Sequence, residues 1–206
     1  MRPCTRRHAL HGAAAALLVG LAGCSGSNSS SRTATASERP VPDDAETDPA
    51  HVQLRSTADA AAVRHPDDET PTDDEDDSFQ FRSHPFVASR ETADGLTFGD
   101  GVDDESVAAA RRLLAETDFD SETVYLEQRR IRECFALDLC YVRWDTDRVE
   151  TQYGRRLLPA DVACETDTYD VVATLVRIPA ALDPEDVSRF SSGTSGSGCR
   201  PPEGDR

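Results

Sequence analysis

The strongest constraint on the fold is a long alternation of apolar residues in the second half of the chain, over residues 134–144. Its two faces consist of Phe135, Leu137, Leu139 and Tyr141, and of Ala136, Cys140, Val142 and Trp144. A strand that is apolar on both faces is typical of a central position in a sheet. Turn residues follow at 145–147, and a second strand pattern covers residues 149–158. The sequence therefore predicts an antiparallel hairpin whose first strand is central.

Segments on either side of the hairpin predict a helix and further strands. Asp103 is a suitable N-cap for a helix that runs to about Glu116, in which Val107, Ala110 and Leu114 share one face. Further strand patterns cover residues 86–88, 123–127 and 169–178. We therefore expect an α+β fold, with a small antiparallel β-sheet and one main helix.

The composition divides the chain into four parts. Residues 1–23 have the pattern of a signal peptide, and residues 24–78 are rich in Ser, Thr and acidic residues, which predicts a disordered tether. A short patterned piece near 50–65 leaves open whether a first strand docks on the domain. We expect the domain itself over residues 79–190, and a flexible C-terminal tail over residues 191–206 that is held by Cys199.

The N-terminal region has the features of a processed export signal. A basic start with Arg6 and Arg7 precedes an apolar run over residues 12–22, about half the length needed to span a bilayer. Arg6-Arg7 resembles the twin-arginine export signal, and Leu21-Ala22-Gly23-Cys24 resembles a lipobox. The resemblance implies cleavage before Cys24 and a lipid on its sulfur. The alternative is an ordinary cleaved signal with an incidental cysteine.

Two features of the tether invite a chemical interpretation. Asn28 opens an Asn-Ser-Ser glycosylation sequon. Eight carboxylates lie within residues 67–77, where the spacing lacks the glycine and distal glutamate of a calcium loop. We interpret the acidic run as a solvated, self-repelling segment.

The charge of the chain argues against nucleic acid as a partner and indicates an environment of high salt. The net charge is −17, with 39 acidic and 22 basic residues, and every basic residue is arginine. Such a chain is repelled by phosphate backbones, so we expect no binding to nucleic acid. Acid excess without lysine resembles proteins of salt-loving archaea, in which strong salt screens the repulsion between carboxylates.

Four cysteines follow the lipobox: Cys134, Cys140, Cys164 and Cys199. An even number in an exported chain predicts disulfides. Cys134 and Cys140 are about 20 Å apart on a continuous strand, too far for a bond. The hairpin brings Cys134 near residue 158, so we predict the pairs Cys134–Cys164 and Cys140–Cys199. The wide spacing argues against a zinc site, and we expect no metal and no cofactor.

Catalytic candidates are restricted to carboxylates. No histidine lies beyond residue 84, which disfavours Ser-His-Asp and Cys-His chemistry in the expected domain. The remaining candidates are Asp118, Asp120, Asp138 and Asp170, and a paired-acid hydrolase would need two of them about 5–10 Å apart. Asp138 and Arg177 each interrupt an apolar strand. Three interpretations remain open: both face the wetter side of the sheet, they form a buried ion pair with each other, or they contact a ligand.

The N-terminal motifs and the composition together resemble the small twin-arginine-exported lipoproteins of halophilic archaea. The resemblance implies a lipid-anchored protein on the outer face of the cell membrane. The residues favour a non-enzymatic surface or binding module, with a protein or a small molecule as partner. Two alternatives are a small extracytoplasmic hydrolase that uses paired carboxylates and a solute-binding lipoprotein of a transporter.

Overall fold

The computed structural model describes residues 41–57, 60–68 and 86–199, which belong to one compact unit. All structural statements below concern these residues. Four residues singled out in the N-terminal region lie outside the description: Arg6, Arg7, Cys24 and Asn28.

The unit contains nine strands and two helices within the described ranges. In chain order they are β1 His51–Ser56, β2 Val63–Arg64, β3 Phe86–Val87, α1 Arg90–Gly95, β4 Thr97–Phe98, α2 Asp104–Glu116, β5 Thr123–Arg132, β6 Phe135–Asp145, β7 Arg148–Leu157, β8 Tyr169–Ile178 and β9 Arg189–Ser195. The predicted α+β class with one main helix is confirmed.

The strands form two larger sheets and one short pair. An antiparallel four-stranded sheet has the order β1-β8-β5-β3, and its central strands pair from Thr123 opposite Ile178 to Arg132 opposite Tyr169. A three-stranded sheet has the order β6-β7-β9, in which the β6–β7 hairpin is antiparallel and the β7–β9 pair is parallel. Strands β2 and β4 form the short pair.

The four-stranded sheet is the middle layer of the domain. On one face Leu126 packs in a core shared with Leu113 of α2. On the other face Tyr125 packs in a core shared with Val149 of the three-stranded sheet. Successive side chains of a strand point to opposite faces, so β5 and β8 must be apolar on both. These two strands, and not β6, occupy the central position.

Helix α2 begins and ends as its sequence predicts. The Asp103 carboxylate accepts a 2.8 Å hydrogen bond from the Ser106 backbone N–H, and this bond lowers the pKa of the carboxyl. Asp104 and Glu105 add negative charge to the first turn, which the helix dipole favours. The buried face consists of Ala110, Leu113 and Leu114.

The prediction that β6 is a central strand is wrong, because β6 lies at an edge of its sheet. A bulge shifts the register between Leu139 and Tyr141, so one extra residue opposes β7 there. Leu139 and Val142 consequently both face the core between the sheets, although they are three residues apart. The apolar alternation is continuous in the sequence, but β6 pairs with β7 in one register before the bulge and in another register after it.

The folded domain is longer than predicted at both ends. Strand β1 pairs with β8 from His51 opposite Val176 to Ser56 opposite Val171, so the docked first strand exists and the predicted start at residue 79 is too late. Strand β9 lies in the segment that was expected to begin a flexible tail. Its Ser-rich sequence lacks an apolar alternation and therefore gave no strand signal.

The two predicted disulfides are present. Cys134 is bonded to Cys164, with Cα atoms 5.2 Å apart, and Cys140 is bonded to Cys199, with Cα atoms 5.0 Å apart. The hairpin register explains the first pair, because the Leu158 N–H donates to the Cys134 carbonyl at 2.9 Å.

Candidate functional site

The predicted ion pair between Asp138 and Arg177 is wrong. Asp138 lies on β6 and pairs with Arg156 of β7 at 3.1 Å, where both side chains are substantially exposed. Arg177 lies on β8, 3.7 Å from the carboxylate of Glu122. Each residue therefore pairs with a different partner near the end of its own strand, and no ligand site forms between them.

A largely buried ion pair joins Arg55 and Asp170. The Arg55 Nε donates to the Asp170 Oδ2 at 2.5 Å, and the Asp170 side chain is 2% exposed. The same guanidinium donates to the backbone carbonyls of Phe135, at 3.0 Å, and Glu133. Arg55 thus connects the first strand of the middle sheet to the start of β6. The contacts are satisfied within the domain and indicate a structural role.

A second polar cluster lies between the two larger sheets and is centred on Glu127. Its carboxylate is 2% exposed and accepts hydrogen bonds from Thr151, at 2.7 Å, and Tyr153, at 3.0 Å. The Arg129 guanidinium lies 3.8 Å from the same carboxylate and donates to the Ser192 hydroxyl. The Ser192 and Thr151 hydroxyl oxygens are 3.0 Å apart. Because Thr151 donates to the carboxylate, Ser192 donates to Thr151, and the cluster forms a directed chain from Arg129 to Glu127.

Two phenols share this environment. Burial is the largest cause that raises the pKa of Tyr153 far above its ordinary 10.0, and the Glu127 carboxylate adds to it. The pKa of Tyr125 is raised by the same two causes in the same order. A buried phenol beside a carboxylate resists ionisation because a second negative charge is unfavourable there. Tyr153 therefore serves Glu127 as a hydrogen-bond donor.

The domain contains a buried histidine, which corrects the expectation that its core has none. His65 is 8% exposed, and its Nε2 lies 3.1 Å from the Phe86 carbonyl oxygen. Its Nδ1 lies 3.2 Å from the backbone N–H of Asp67. Because a carbonyl only accepts a hydrogen bond, Nε2 carries a hydrogen and donates it to Phe86. His65 thereby holds the segment after β2 against β3.

The structure does not bring the four candidate acids together. Asp118 binds the Asp120 N–H and the Ser121 hydroxyl within its own turn. Asp138 and Asp170 lie on different sheets and have separate arginine partners. Asp138 and Asp170 therefore form no acid pair of the kind that a glycoside hydrolase needs, and Asp118 and Asp120 lie together in an exposed turn away from both.

A cavity of about 140 Å³ lies between the two helices and β4. Its lining consists of Arg90, Ala93, Asp94, Phe98, Arg111, Leu114 and Ala115. The Arg111 guanidinium lies 5.1 Å from the centre of the Phe98 ring, within the range of a cation–π contact. This cavity combines two cations and one carboxylate with several apolar side chains.

An exposed apolar loop follows β7. Leu157 is 67% exposed and Val162 is 45% exposed, the two largest values among the large apolar residues of the described ranges. The Cys134–Cys164 disulfide closes the loop, and the Glu165 N–H donates to the Glu133 carboxylate at 2.9 Å. Residues 157–164, which we call the apolar loop, are therefore fixed at one end by the pairing of Leu157 with Phe135 and at the other end by the disulfide.

Sequence reasoning missed the residues that form these sites. Glu127 gave one usable signal, because it falls on the same face of its strand as the apolar Tyr125. Arg55, Arg90 and Arg111 gave none, since their partners lie far away in the sequence or belong to the backbone.

Comparisons with known proteins add no relative to this description. No family model, no curated protein and no solved structure matches the chain. In the part of the chain that the structure describes, no helix is long and apolar enough to cross a bilayer. The same residues contain no group of three or more His, Cys, Asp or Glu side chains arranged to hold a metal ion.

Proposed function

We propose that this protein is a lipid-anchored extracytoplasmic binding module of a halophile, attached through Cys24 and without enzymatic activity. The two disulfides support an oxidising compartment outside the cytoplasm. The lipobox-like Leu21-Ala22-Gly23-Cys24 supports attachment to the outer face of the membrane. Neither the disulfides nor the lipobox-like motif indicates which surface of the protein binds the partner.

The apolar loop is the observation that carries the binding function. Apolar side chains as exposed as Leu157 and Val162 cost free energy in water, and a loop fixed by a disulfide loses little entropy when it docks. The exposed Arg155 lies on the same face of β7 as Leu157, and its guanidinium packs 4.7 Å from the centre of the Phe135 ring. The fitting partner is a cell-surface protein with an apolar patch bordered by carboxylates.

Attachment is tested by membrane partition of the full chain produced in its native host. Cys24→Ser should move the protein from the detergent phase to the aqueous phase, whereas Cys4→Ser, which changes a cysteine of the signal, should leave partition unchanged. If both variants partition like the wild type, attachment through Cys24 is refuted.

Binding at the apolar loop is tested by site-specific photo-crosslinking on intact cells at high salt. A crosslinking residue at Val162 should yield one discrete adduct, which Leu157→Ser should abolish. The control is the same crosslinker at Thr146, an exposed turn residue at the opposite end of the hairpin. Equal adducts from both positions, or an adduct at Val162 that persists with Leu157→Ser, would contradict the proposal.

A further inference from the structure

The cavity between α1 and α2 offers two cations that are held in different ways. Arg90 is anchored at the C-terminal end of α2, where it donates to the carbonyls of Leu114 at 2.8 Å, Ala115 at 3.3 Å and Thr117 at 3.1 Å. A cation in this place also complements the negative end of the helix dipole. The Arg90 charge is therefore fixed at the cavity wall by the fold itself.

Arg111 lines the cavity, and its side chain is also exposed to solvent. Its guanidinium rests on the Phe98 ring, and no described residue forms a hydrogen bond or an ion pair with it. Stacking on an aromatic ring orients the planar fork without consuming its N–H groups. Five donors in a fixed plane match the two oxygens of a carboxylate.

The other residues that line the cavity indicate which class of ligand it can bind. Asp94 offsets one of the two positive charges, which favours a monoanion over sulfate or phosphate. Ala93, Leu114 and Phe98 supply apolar surface for the uncharged part of a ligand. The cavity of about 140 Å³ is open to solvent on one side, so it suits a ligand with one small ring or a short chain that leaves part of its surface in water.

We propose that this cavity is a binding site for a small organic monocarboxylate, with Arg111 as the residue that pairs with the carboxylate. The proposal does not depend on the membrane anchor or on the apolar loop. Arg90 contributes a fixed positive charge, and Asp94 provides selection against dianions.

The test is a titration of the full chain, solubilised in non-ionic detergent, with sodium benzoate at constant ionic strength. Binding is followed by NMR through the Arg111 Nε signal and the backbone amides of Ala93 and Ala115. Saturable shifts are expected at these positions. Arg111→Gln should weaken binding about tenfold or more, because it removes a charge-assisted bidentate pair.

The matched control is Arg112→Gln, which removes the same charge from the adjacent, exposed position of α2 that does not line the cavity. It should change the affinity by less than about twofold, because an exposed charge outside the cavity is screened. Equal losses in the two variants would show attraction by the general charge of the helix and would overturn the site.

Two further measurements keep the proposal falsifiable if Arg111→Gln fails to fold. Benzyl alcohol, the neutral analogue, should not compete with benzoate, and sulfate should bind more weakly than benzoate. Asp94→Asn should strengthen sulfate binding, because it removes the repulsion. Equal binding of benzyl alcohol and benzoate, or no saturable shift with benzoate, would overturn the proposal.

Discussion

Two arginine–aspartate pairs in this domain have the same chemistry and very different surroundings. The Arg55–Asp170 pair is shielded, with an Asp170 side chain that is 2% exposed, whereas the Asp138–Arg156 pair is exposed on both sides. Water stabilises each exposed charge almost as well as its ion-pair partner does. A buried carboxylate that loses its partner has no such replacement. The burial of an arginine–aspartate pair, and not the identity of its residues, therefore decides how much the pair contributes to stability.

We predict that Arg55→Met lowers the free energy of unfolding by about 3–5 kcal/mol, because it leaves the Asp170 carboxylate buried without its cation. Arg156→Met, the matched change in the exposed pair, should lower it by less than about 1 kcal/mol. Urea denaturation at one ionic strength measures both values. Similar losses for the two variants would contradict the structural role of Arg55.

The raised pKa values of Tyr125 and Tyr153 predict a loss of stability in alkali. The folded state keeps both phenols protonated, whereas the unfolded state releases their protons above the ordinary value of 10.0. This stabilisation is complete below pH 10 and decreases as the pH rises above it. Urea denaturation across this range should show the decrease, and the double variant Tyr125→Phe/Tyr153→Phe should show a smaller slope. Ionisation of both phenols near pH 10 in the folded protein would refute the prediction.

Among the strands, β9 forms through contacts with β7 that its own sequence does not predict. It runs parallel to β7, and the chain beyond it crosses β7 closely at Gly154. A Cβ at Gly154 would lie 2.6 Å from the Cys199 nitrogen and 2.7 Å from the Gly198 carbonyl carbon. Glycine is required there because the two backbones approach each other.

We predict that Gly154→Ala displaces the segment around Cys199 and costs about 1–3 kcal/mol of stability through overpacking against backbone atoms. The Cys140–Cys199 disulfide should then be reduced faster by limiting dithiothreitol, as measured by thiol release. Gly196→Ala is the control, because a Cβ there meets no atom within 4 Å. The same reduction rate in the two variants would show that the close approach does not hold the segment.

Local signals explain which elements could be predicted from the sequence. The hairpin, β8 and α2 carry their own periodicity and their own turn or cap residues, and the hairpin register also gave both disulfides. The bulge at Cys140 and the parallel strand β9 arise from tertiary contacts and left no periodic trace. The partner of Arg177 could not be predicted for the same reason, because its contact with Glu122 follows from the pairing of β5 with β8, which strand patterns do not encode. Arg156, the partner of Asp138, lies on the adjacent strand of the predicted hairpin and could have been found from the hairpin register.

At the scale of the molecule, the chain connects the two larger sheets repeatedly. It passes from β5 in the middle sheet to β6 and β7, returns to β8 and passes again to β9. Each sheet therefore contains strands whose neighbours in sequence lie in the other sheet. The inter-sheet cores and the Glu127 cluster then form or separate together, which favours a single cooperative unfolding transition.

We predict that Cys134→Ser/Cys164→Ser and Cys140→Ser/Cys199→Ser each lower the free energy of unfolding by about 3–5 kcal/mol. The loss should be slightly larger for the second pair, because its sequence separation is 59 residues against 30. Both variants should still unfold in one calorimetric transition. Two separate transitions would contradict the cooperativity of the sheets.

The N-terminal segment has a mechanical consequence. Before the chain reaches β1, Glu46 exchanges two backbone hydrogen bonds with Val142, and Asp44 pairs with Arg143 at 2.9 Å. A pulling force applied upstream of residue 41 acts first on these contacts at the edge of the three-stranded sheet. Only after they rupture does the load reach β1, whose six residues pair with β8. The contacts of residues 44–46 thus protect the four-stranded sheet from a force applied on the N-terminal side of the chain.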